Sequence, residues 1–348
     1  LFRQFGIYSR EGQKYIPEDA DKVMWYRESE DGVMLEEGIT EAGAFSAWLA
    51  LATSYANNQL PMIPFYIYYS MFGFQRIHDL AWAAGDARAK GFLLGATSGR
   101  TTLNGEGLQH QDGHSHLLAQ TIPNCRSYDP CFDYELATII KEGIDDMYVE
   151  NNDNYYYLTV MNENYIHPKR PKAATTKAIM KGAYKFKNVK DPQLRILASG
   201  LTLRFALSAE NILSKMDIKV EIWSVTSFNE LAREGTATDQ EKLYGSNNKD
   251  SYVEECFGIP TPTIAVSDYQ KLYAEQIRKW VKGAYVCLGT DGFGRSDTRE
   301  KLRSFFEIDA KHIVFNALKV LKMDKKAKQF AKDNLSLIHI SEPTRRRT

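Results

Sequence analysis

Apolar blocks alternate with mixed blocks along the first half of the chain, and the alternation predicts strands and helices in turn. Strands are predicted at the apolar and aromatic runs 62–70, 91–99 and 155–162. Helices are predicted at 43–56, 74–90 and 131–148. Strands that alternate with helices indicate a parallel sheet with helices on both faces.

The second half repeats this alternation. Strands are predicted at 194–200, 219–227, 261–269 and 283–291, with an amphipathic helix over 201–216. Between the halves lies HPKRPKAATTKA (167–178), which has two prolines and several basic residues and is typical of a linker. The sequence therefore predicts an α/β protein of two domains joined by a linker over 166–185.

The stretch TSGRTTLNGEGLQHQDGHSH (97–116) holds three histidines, two acids and four glycines. A segment this polar is not expected to be a core element, and loops held on a rigid scaffold commonly carry functional groups. The His-x3-His-x-His spacing is compatible with zinc, although a glycine-rich loop is a poor support for a metal site. The alternative is that the histidines donate hydrogen bonds or carry protons around an organic acid.

A second candidate is Glu41, which lies among apolar neighbours in GITEAGAFSAWLA. A carboxylate in such surroundings is costly to ionise without a partner. It can be a helix N-terminal acid, where acids are favoured, or a carboxylate that shares a proton with a bound heterocycle.

The aromatic run FYIYYSMFGF (65–74) is more typical of a core than of a binding wall. Tyr69 and Phe72 could nevertheless face a flat ring, and Arg76 could meet an anion. The turn LGTDGFGRSDTRE (288–300) is predicted to cap a helix, with a role in substrate binding or at an interface as the alternative.

Composition restricts the choice of function. Lys and Arg number 44, as do Asp and Glu, so a nucleic-acid surface is not expected. No apolar run reaches the roughly 18 residues of a membrane helix, and the four cysteines lack metal-like spacing, which favours a reducing, cytoplasmic location. The tail LSLIHISEPTRRRT (335–348) continues no earlier pattern and is interpreted as extraneous, with a disordered basic tail as the alternative.

Several long motifs carry a family resemblance. These are GITEAGA (38–44), PMIPFYIYYSMFGFQRIHDLAWAAGDARAKGFLLG (61–95), the 97–116 loop and GTDGFGRSDTRE (289–300). They resemble the homodimeric pyruvate dehydrogenase components, which are thiamine-diphosphate-dependent decarboxylases. QDGHSH is similar, more loosely, to a loop of the transketolases.

The resemblance implies two transketolase-type domains, each a largely parallel sheet flanked by helices. Residues 1–165 would be a pyrimidine-binding domain without its N-terminal part, and 186–334 the C-terminal domain. The domain that binds diphosphate and Mg2+ is not found in the sequence, so the metal ligands are expected elsewhere and none is assigned here. The chain would then supply half of each active site and be inactive alone.

By the same resemblance, Glu41 hydrogen-bonds N1′ of the aminopyrimidine. Cofactor contacts are implied for Ile39, Tyr69, Phe72 and Arg76. Catalytic roles are implied for Glu106 and His110 and, more weakly, for His116. Residues 11–27 match a loop that closes over the cofactor, with Asp19 as its expected functional member. Gln111 departs from the family pattern, in which we expect glutamate.

The implied activity is oxidative decarboxylation of pyruvate with reductive acetylation of the lipoyl group of dihydrolipoamide acetyltransferase. The expected partners are pyruvate, the lipoyl domain of that enzyme and a second copy of the chain, with neither nucleic acid nor membrane. Two alternatives stay open at this point. One is a transketolase-like enzyme that acts on sugar phosphates, and the other is a non-catalytic assembly module that has kept the fold.

Overall fold

The structure is a computed structural model that describes residues 4–18, 20–22, 27–246 and 248–335. The described part contains two larger sheets and a small parallel pair formed by Ile7–Tyr8 (β1) and Glu28–Ser29 (β2). The proposed tail, 335–348, lies outside the described residues except for Leu335.

The first large sheet has four parallel strands in the order β3-β4-β6-β5. Its strands are Phe65–Tyr69 (β3), Phe92–Ala96 (β4), Cys125–Tyr128 (β5) and Tyr155–Thr159 (β6). The central strand β6 is buried along its whole length, as its continuous apolar and aromatic run predicts. The three predicted strands of this half are therefore confirmed.

Helices flank this sheet. They are Glu41–Ala52 (α1), Ser54–Asn57 (α2), Gly73–Asp86 (α3), Ser115–Gln120 (α4) and Asp133–Ile144 (α5). Leu108–His110 forms a 3-10 turn, and Asp145–Val149 continues α5 as a π-helical turn. The single helix predicted over 43–56 is in fact two, because Thr53 leaves helical geometry and its hydroxyl bonds to the carbonyl of Leu49 at 2.9 Å.

The second large sheet has five strands in the order β11-β10-β8-β9-β7. Its strands are Tyr184–Lys187 (β7), Leu194–Ala198 (β8), Val220–Ser224 (β9), Thr263–Val266 (β10) and Tyr285–Leu288 (β11). Four are parallel, while β7 pairs with β9 in the antiparallel sense. The four strands predicted for this half are confirmed, whereas β7 was not predicted.

Short and long helices surround the second sheet. Before it lies Thr176–Met180 (α6); along it lie Thr202–Ser214 (α7), Phe228–Leu243 (α8), Tyr252–Phe257 (α9), Lys271–Glu275 (α10), Arg299–Phe305 (α11), Ala310–Val320 (α12) and Asp324–Asn334 (α13). Arg278–Trp280 forms a further 3-10 turn. Among the described residues, no helix is both long and apolar enough to cross a bilayer.

The stretch proposed as a linker, 166–185, contains α6 and the beginning of β7. Ala174 and Ile179 are buried there and pack into the apolar cluster that also includes Phe92 of β4. The segment thus crosses between the sheets as packed chain, and its limits as a domain boundary stay a prediction.

The two sheets, each with its helices, meet where α8 lies along the free edge of β5. Nη1 of Arg126 in β5 donates to Glu230 of α8 at 2.9 Å, and the hydroxyl of Ser227 donates to the carbonyl of Ser127 at 2.6 Å. The opposite edge strand, β3, is less protected. Phe65, Ile67 and Tyr69, which we call the β3 face, are 44%, 53% and 40% exposed.

Candidate active site

Glu41 begins helix α1, and the residues before it fix its position. Gly38 adopts a φ of 67°, which a glycine takes without strain. Thr40 then caps the helix, since its hydroxyl accepts a hydrogen bond from the N–H of Gly43 at 3.3 Å. The Glu41 carboxylate therefore lies at the positive end of the helix, where acids are stabilised.

Arg76, in α3, is the partner of the Glu41 carboxylate. Its Nη1 donates to Oε1 of Glu41 at 2.6 Å. Partial burial raises the pKa of Glu41, but the Arg76 hydrogen bond, a backbone hydrogen bond and the Arg76 charge together outweigh it and leave the pKa lowered. The carboxylate is held ionised, so it is both a helix N-terminal acid and a charged group available at the surface.

Three rings extend from this ion pair. The guanidinium carbon of Arg76 lies 4.3 Å from the centroid of the Phe72 ring. The centroids of Phe72 and His110 are 5.3 Å apart with their planes at 81°, and the Tyr69 ring lies 5.9 Å from each of them. Since Tyr69 is partly exposed, a partly open aromatic surface adjoins the carboxylate.

Glu106 adds a second carboxylate beside His110. Its Oε2 lies 3.8 Å from Nδ1 of His110, which is too long for a hydrogen bond. Within the described part of the chain, that buried Nδ1 has no hydrogen-bond partner. We call the contiguous group the site cluster: Glu41, Tyr69, Phe72, Arg76, Glu106 and His110.

Two other residues that the resemblance assigned to the site are not part of the site cluster. The side chain of Ile39 is 99% exposed, two residues before Glu41. Asp19 lies outside the described residues, as do 23–26 of the 11–27 loop.

His116 does not join the site cluster. It is fully buried, its Nε2 lies 3.1 Å from the Thr159 hydroxyl, and its ring stacks on Tyr273 of the second half at 4.8 Å. Burial lowers the pKa of His116 to about 4, so the ring is neutral near pH 7. Its place is in the contact between the two halves.

The three histidines of the loop consequently have different surroundings. Nε2 of His114 lies 2.6 Å from the side-chain amide of Gln75. Across the residues that the structure describes, no three His, Cys, Asp or Glu side chains are grouped as metal ligands.

Much of the 97–116 loop is buried, in contrast to the expectation that it lies outside the core. Ser98–Leu103 and Gln111–Gly113 are buried, and the second half supplies polar partners to some of them, Thr101 and Gln111 included. The Asp268 carboxylate accepts hydrogen bonds from the N–H of Thr101 at 3.2 and 3.1 Å. Burial outweighs these bonds and raises the pKa of Asp268 to about 7.

Asp112 shapes the end of the loop. Its Oδ1 accepts from the N–H groups of His114 and Ser115 at 3.0 and 2.9 Å, and its Oδ2 from the Ser115 hydroxyl. The Tyr157 hydroxyl in turn donates to Ser115 at 2.8 Å. The loop that carries His110 is thus tied to the central strand β6.

One important carboxyl group was missed from the sequence. Asp129 follows β5 and is buried, with Oδ1 accepting from the Thr159 hydroxyl at 2.7 Å and Oδ2 from the Ser199 hydroxyl at 2.9 Å. Burial outweighs these hydrogen bonds and raises its pKa to about 7. The available signal was an acid directly after CRSY (125–128), a segment for which no strand was predicted, and it does not reveal a partner 70 residues away.

The turn at 288–300 caps a helix, as predicted, and it also contacts the 97–116 loop. The Thr298 hydroxyl caps α11 by accepting from the N–H of Lys301 at 3.4 Å. The same turn contacts the loop, since the N–H of Gly105 donates to the carbonyl of Asp297 at 3.1 Å. It therefore helps to place Glu106 and His110.

Chemically, the site cluster offers three functions side by side. The charged Glu41 carboxylate can accept a hydrogen bond from a ligand, and the rings of Tyr69 and Phe72 can pack on a flat apolar group. His110, with Glu106 beside it, can hold or transfer a proton.

Two protein-family models match the chain. The model described as the pyruvate dehydrogenase E1 component middle domain matches residues 1–168, and the transketolase-like TK C-terminal domain matches 182–309. Two relatives named pyruvate dehydrogenase E1 component illustrate the similarity. The one from Pseudomonas aeruginosa is 57% identical over 92% of this chain and 37% of its own length, and the one from Escherichia coli (strain K12) is 51% identical over 96% and 39%.

Solved structures share the fold at low identity. Transketolase from Leishmania mexicana matches with a TM-score of 0.65 and 17% identity, covering 92% of this chain and 42% of that one. A split-gene transketolase described as an inactive beta4 tetramer matches with a TM-score of 0.60 and 14% identity, covering 92% and 93%. The predicted fold, transketolase-type α/β halves with largely parallel sheets, is confirmed. The chain spans less than two fifths of the length of the two E1 relatives.

Proposed function

Because the chain belongs to the pyruvate dehydrogenase E1 component family, we propose that its site cluster is half of a thiamine-diphosphate-dependent active site. The proposed reaction is oxidative decarboxylation of pyruvate with reductive acetylation of the lipoyl group of dihydrolipoamide acetyltransferase. One observation carries the proposal, namely the ion pair between Glu41 and Arg76 that continues into an open aromatic surface.

The residues fit the aminopyrimidine of thiamine diphosphate. A charged carboxylate next to the exposed side chain of Ile39 and the partly exposed ring of Tyr69 suits a flat ring that carries one basic nitrogen. When bound, the cofactor supplies the electron sink for loss of carbon dioxide from a 2-oxo acid. Glu41 would accept a hydrogen bond from the pyrimidine, while Arg76 keeps the carboxylate ionised and in place and Phe72 supports Arg76.

His110 and Glu106 would handle protons on the substrate side. The imidazole is partly exposed and its ring contacts both Tyr69 and Phe72, so it lies at the border of the surface that would hold the cofactor. An imidazole can both donate and accept a proton, and Glu106 lies 3.8 Å from Nδ1 of His110 on the same side. A direct role for Asp19 in loop closure, and any for His116, remain parts of the proposal that rest on family resemblance.

The remaining partners are proposed on the same basis. The β3 face would pair with a second copy of the protein, and the ligands of the diphosphate and Mg2+ would come from chain outside this sequence. Residues 1–165 and 186–334, joined by 166–185, are the proposed domains. The proposed location is the cytoplasm.

The test is pyruvate-dependent reduction of an artificial electron acceptor by the complete protein, with and without thiamine diphosphate and Mg2+. Activity should require the cofactor and should fall by orders of magnitude in Glu41→Gln, which keeps the shape but loses the charge. Glu150→Gln, an exposed position, is the matched control. Turnover that is indifferent to the cofactor would refute the proposal, and sugar-phosphate turnover above that of pyruvate would favour the transketolase alternative.

A further inference from the structure

Gln111 is a buried amide that follows His110 directly and bonds in two directions. It is 0% exposed. Its Nε2 donates to the carbonyl of Leu103 at 2.8 Å, and its Oε1 accepts from the N–H of Arg295 at 2.7 Å. One side chain therefore closes the loop on itself and joins it to the turn after β11.

The contact with that turn is close. A Cβ on Gly294 would lie 2.6 Å from Oε1 of Gln111 and 2.6 Å from the carbonyl of Leu108, so only glycine allows this approach. Leu108 belongs to the same 3-10 turn as His110. The backbone around His110 thus packs closely against its own loop on one side and against the second half of the chain on the other.

We propose that Gln111 is a positioning residue for His110, and that through it the docking of the second half sets where the imidazole lies. The role in turnover rests on the proposed function, whereas the effect on the position of His110 does not. Gln111 acts on the reaction only through its neighbour, because its own amide is enclosed.

The bond to Arg295 requires only an acceptor at position 111. Glutamate, which we expect at this position in the family, has the same shape and keeps an acceptor for the N–H of Arg295. It loses only the donor to the Leu103 carbonyl. Methionine fills similar space and supplies neither bond.

Turnover gives the first test, in the complete protein with pyruvate and a lipoyl domain. Gln111→Met should lower kcat about tenfold, as expected for loss of buried hydrogen bonds, with KM for pyruvate little changed. In a His110→Gln background the same change should add almost nothing, because the two residues act as a unit. Equal losses in both backgrounds would show a general structural role and overturn the proposal.

The conservative variant gives the second test and guards against a misfolded variant. Gln111→Glu keeps the acceptor for the N–H of Arg295 and should therefore retain a kcat close to that of the parent, whereas Gln111→Met should not. Gln240→Glu, on the exposed side of α8, is the matched control for an added carboxylate. A loss of kcat in Gln111→Glu as large as that in Gln111→Met would contradict the proposal.

A third measurement does not need turnover. Acylation of His110 by diethyl pyrocarbonate, followed peptide by peptide with mass spectrometry in cofactor-free protein, reports how the loop presents the imidazole. His110 should react about tenfold faster in Gln111→Met, because the two hydrogen bonds of Gln111 that hold the loop in place are lost. His167, whose side chain is 36% exposed, is the internal reference and should keep its rate. An unchanged His110 rate overturns the proposal, while a changed rate in a protein without pyruvate turnover would refute only the proposed function.

Discussion

Asp129 and Ser199 join the two sheets at the C-terminal ends of their strands. The Ser199 hydroxyl, just after β8, donates to Oδ2 of Asp129, just after β5, at 2.9 Å. The N–H of Gly200 also donates to the carbonyl of Asp129, at 3.1 Å. A buried carboxyl group thus lies directly between the halves, and its protonation must affect how firmly they are held together.

This arrangement predicts a pH dependence of stability. Burial raises the folded-state pKa of Asp129 from 3.8 to about 7, so the folded protein binds this proton more tightly than the unfolded chain. The stabilisation is complete below about pH 4 and is lost as the pH rises to about 7, by at most about 1.4 kcal/mol per pH unit. Asp129→Asn does not titrate, so the free energy of unfolding of the parent minus that of the variant should fall across this window and level off above it.

Denaturant unfolding at a series of pH values measures this difference. Ser199→Ala removes a hydrogen bond that lowers the pKa of Asp129, so it should extend the window to higher pH. Asp133→Asn, at an exposed position, should leave the slope unchanged. A difference between the parent and Asp129→Asn that is flat from pH 4 to 7 would contradict the prediction.

The buried His116 should give the free energy of unfolding the opposite pH dependence, over a pH range that overlaps that of Asp129. Burial lowers its folded-state pKa from 6.5 to about 4, so its stabilising contribution is present above pH 6.5 and is lost as the pH falls towards 4. His116→Phe keeps a flat ring against Tyr273 but does not titrate. The difference in free energy of unfolding between parent and variant should therefore shrink on acidification, and unfolding curves at fixed ionic strength measure it. Tyr273→Leu loses the stacking contact but keeps the titrating group, so its acid slope should persist.

The sequence predicted the regular elements better than the contacts between them. Continuous apolar runs such as that of β6 identify buried parallel strands without further information. The antiparallel β7 was not predicted because its polar alternation, YKFK, lies where prolines and basic residues indicate a linker. The site cluster followed from family resemblance, whereas the pairing of Glu41 with Arg76, 35 residues apart, required the fold.

Buried polar groups were the hardest to predict. Gln111, Asp129 and Asp268 are polar residues in loops, and their composition favours exposure. They are buried because each finds partners on the other half of the chain, between 70 and 184 residues away. Pattern within one segment carries no information on such partners, so the interior of the 97–116 loop was expected to be surface.

Loss of Arg76 should change the ionisation of Glu41. Arg76→Gln removes the hydrogen bond and the charge that lower the pKa of Glu41, and burial then raises it. If ionised Glu41 is needed for turnover, the acidic limb of the kcat/KM profile for pyruvate should move to higher pH. Arg88→Gln removes a long, exposed pair with Asp153 at 3.6 Å and should leave the limb in place. An acidic limb that stays fixed in Arg76→Gln would show that Glu41 does not set it.

In the proposed homodimer, the β3 face is the surface that we expect to contact the second copy. Phe65, Ile67 and Tyr69 point to the same side of an edge strand and are 40–53% exposed, an unusual arrangement for an apolar strand without a cover. Ile67→Lys puts a charge in the middle of this surface and should weaken self-association of the complete protein, because burying an unpaired lysine is costly. Sedimentation velocity over a range of concentrations measures the effect. Trp82→Lys, at a 52% exposed position on α3, is the control for a new surface lysine. Equal association of Ile67→Lys and the parent would place the interface elsewhere.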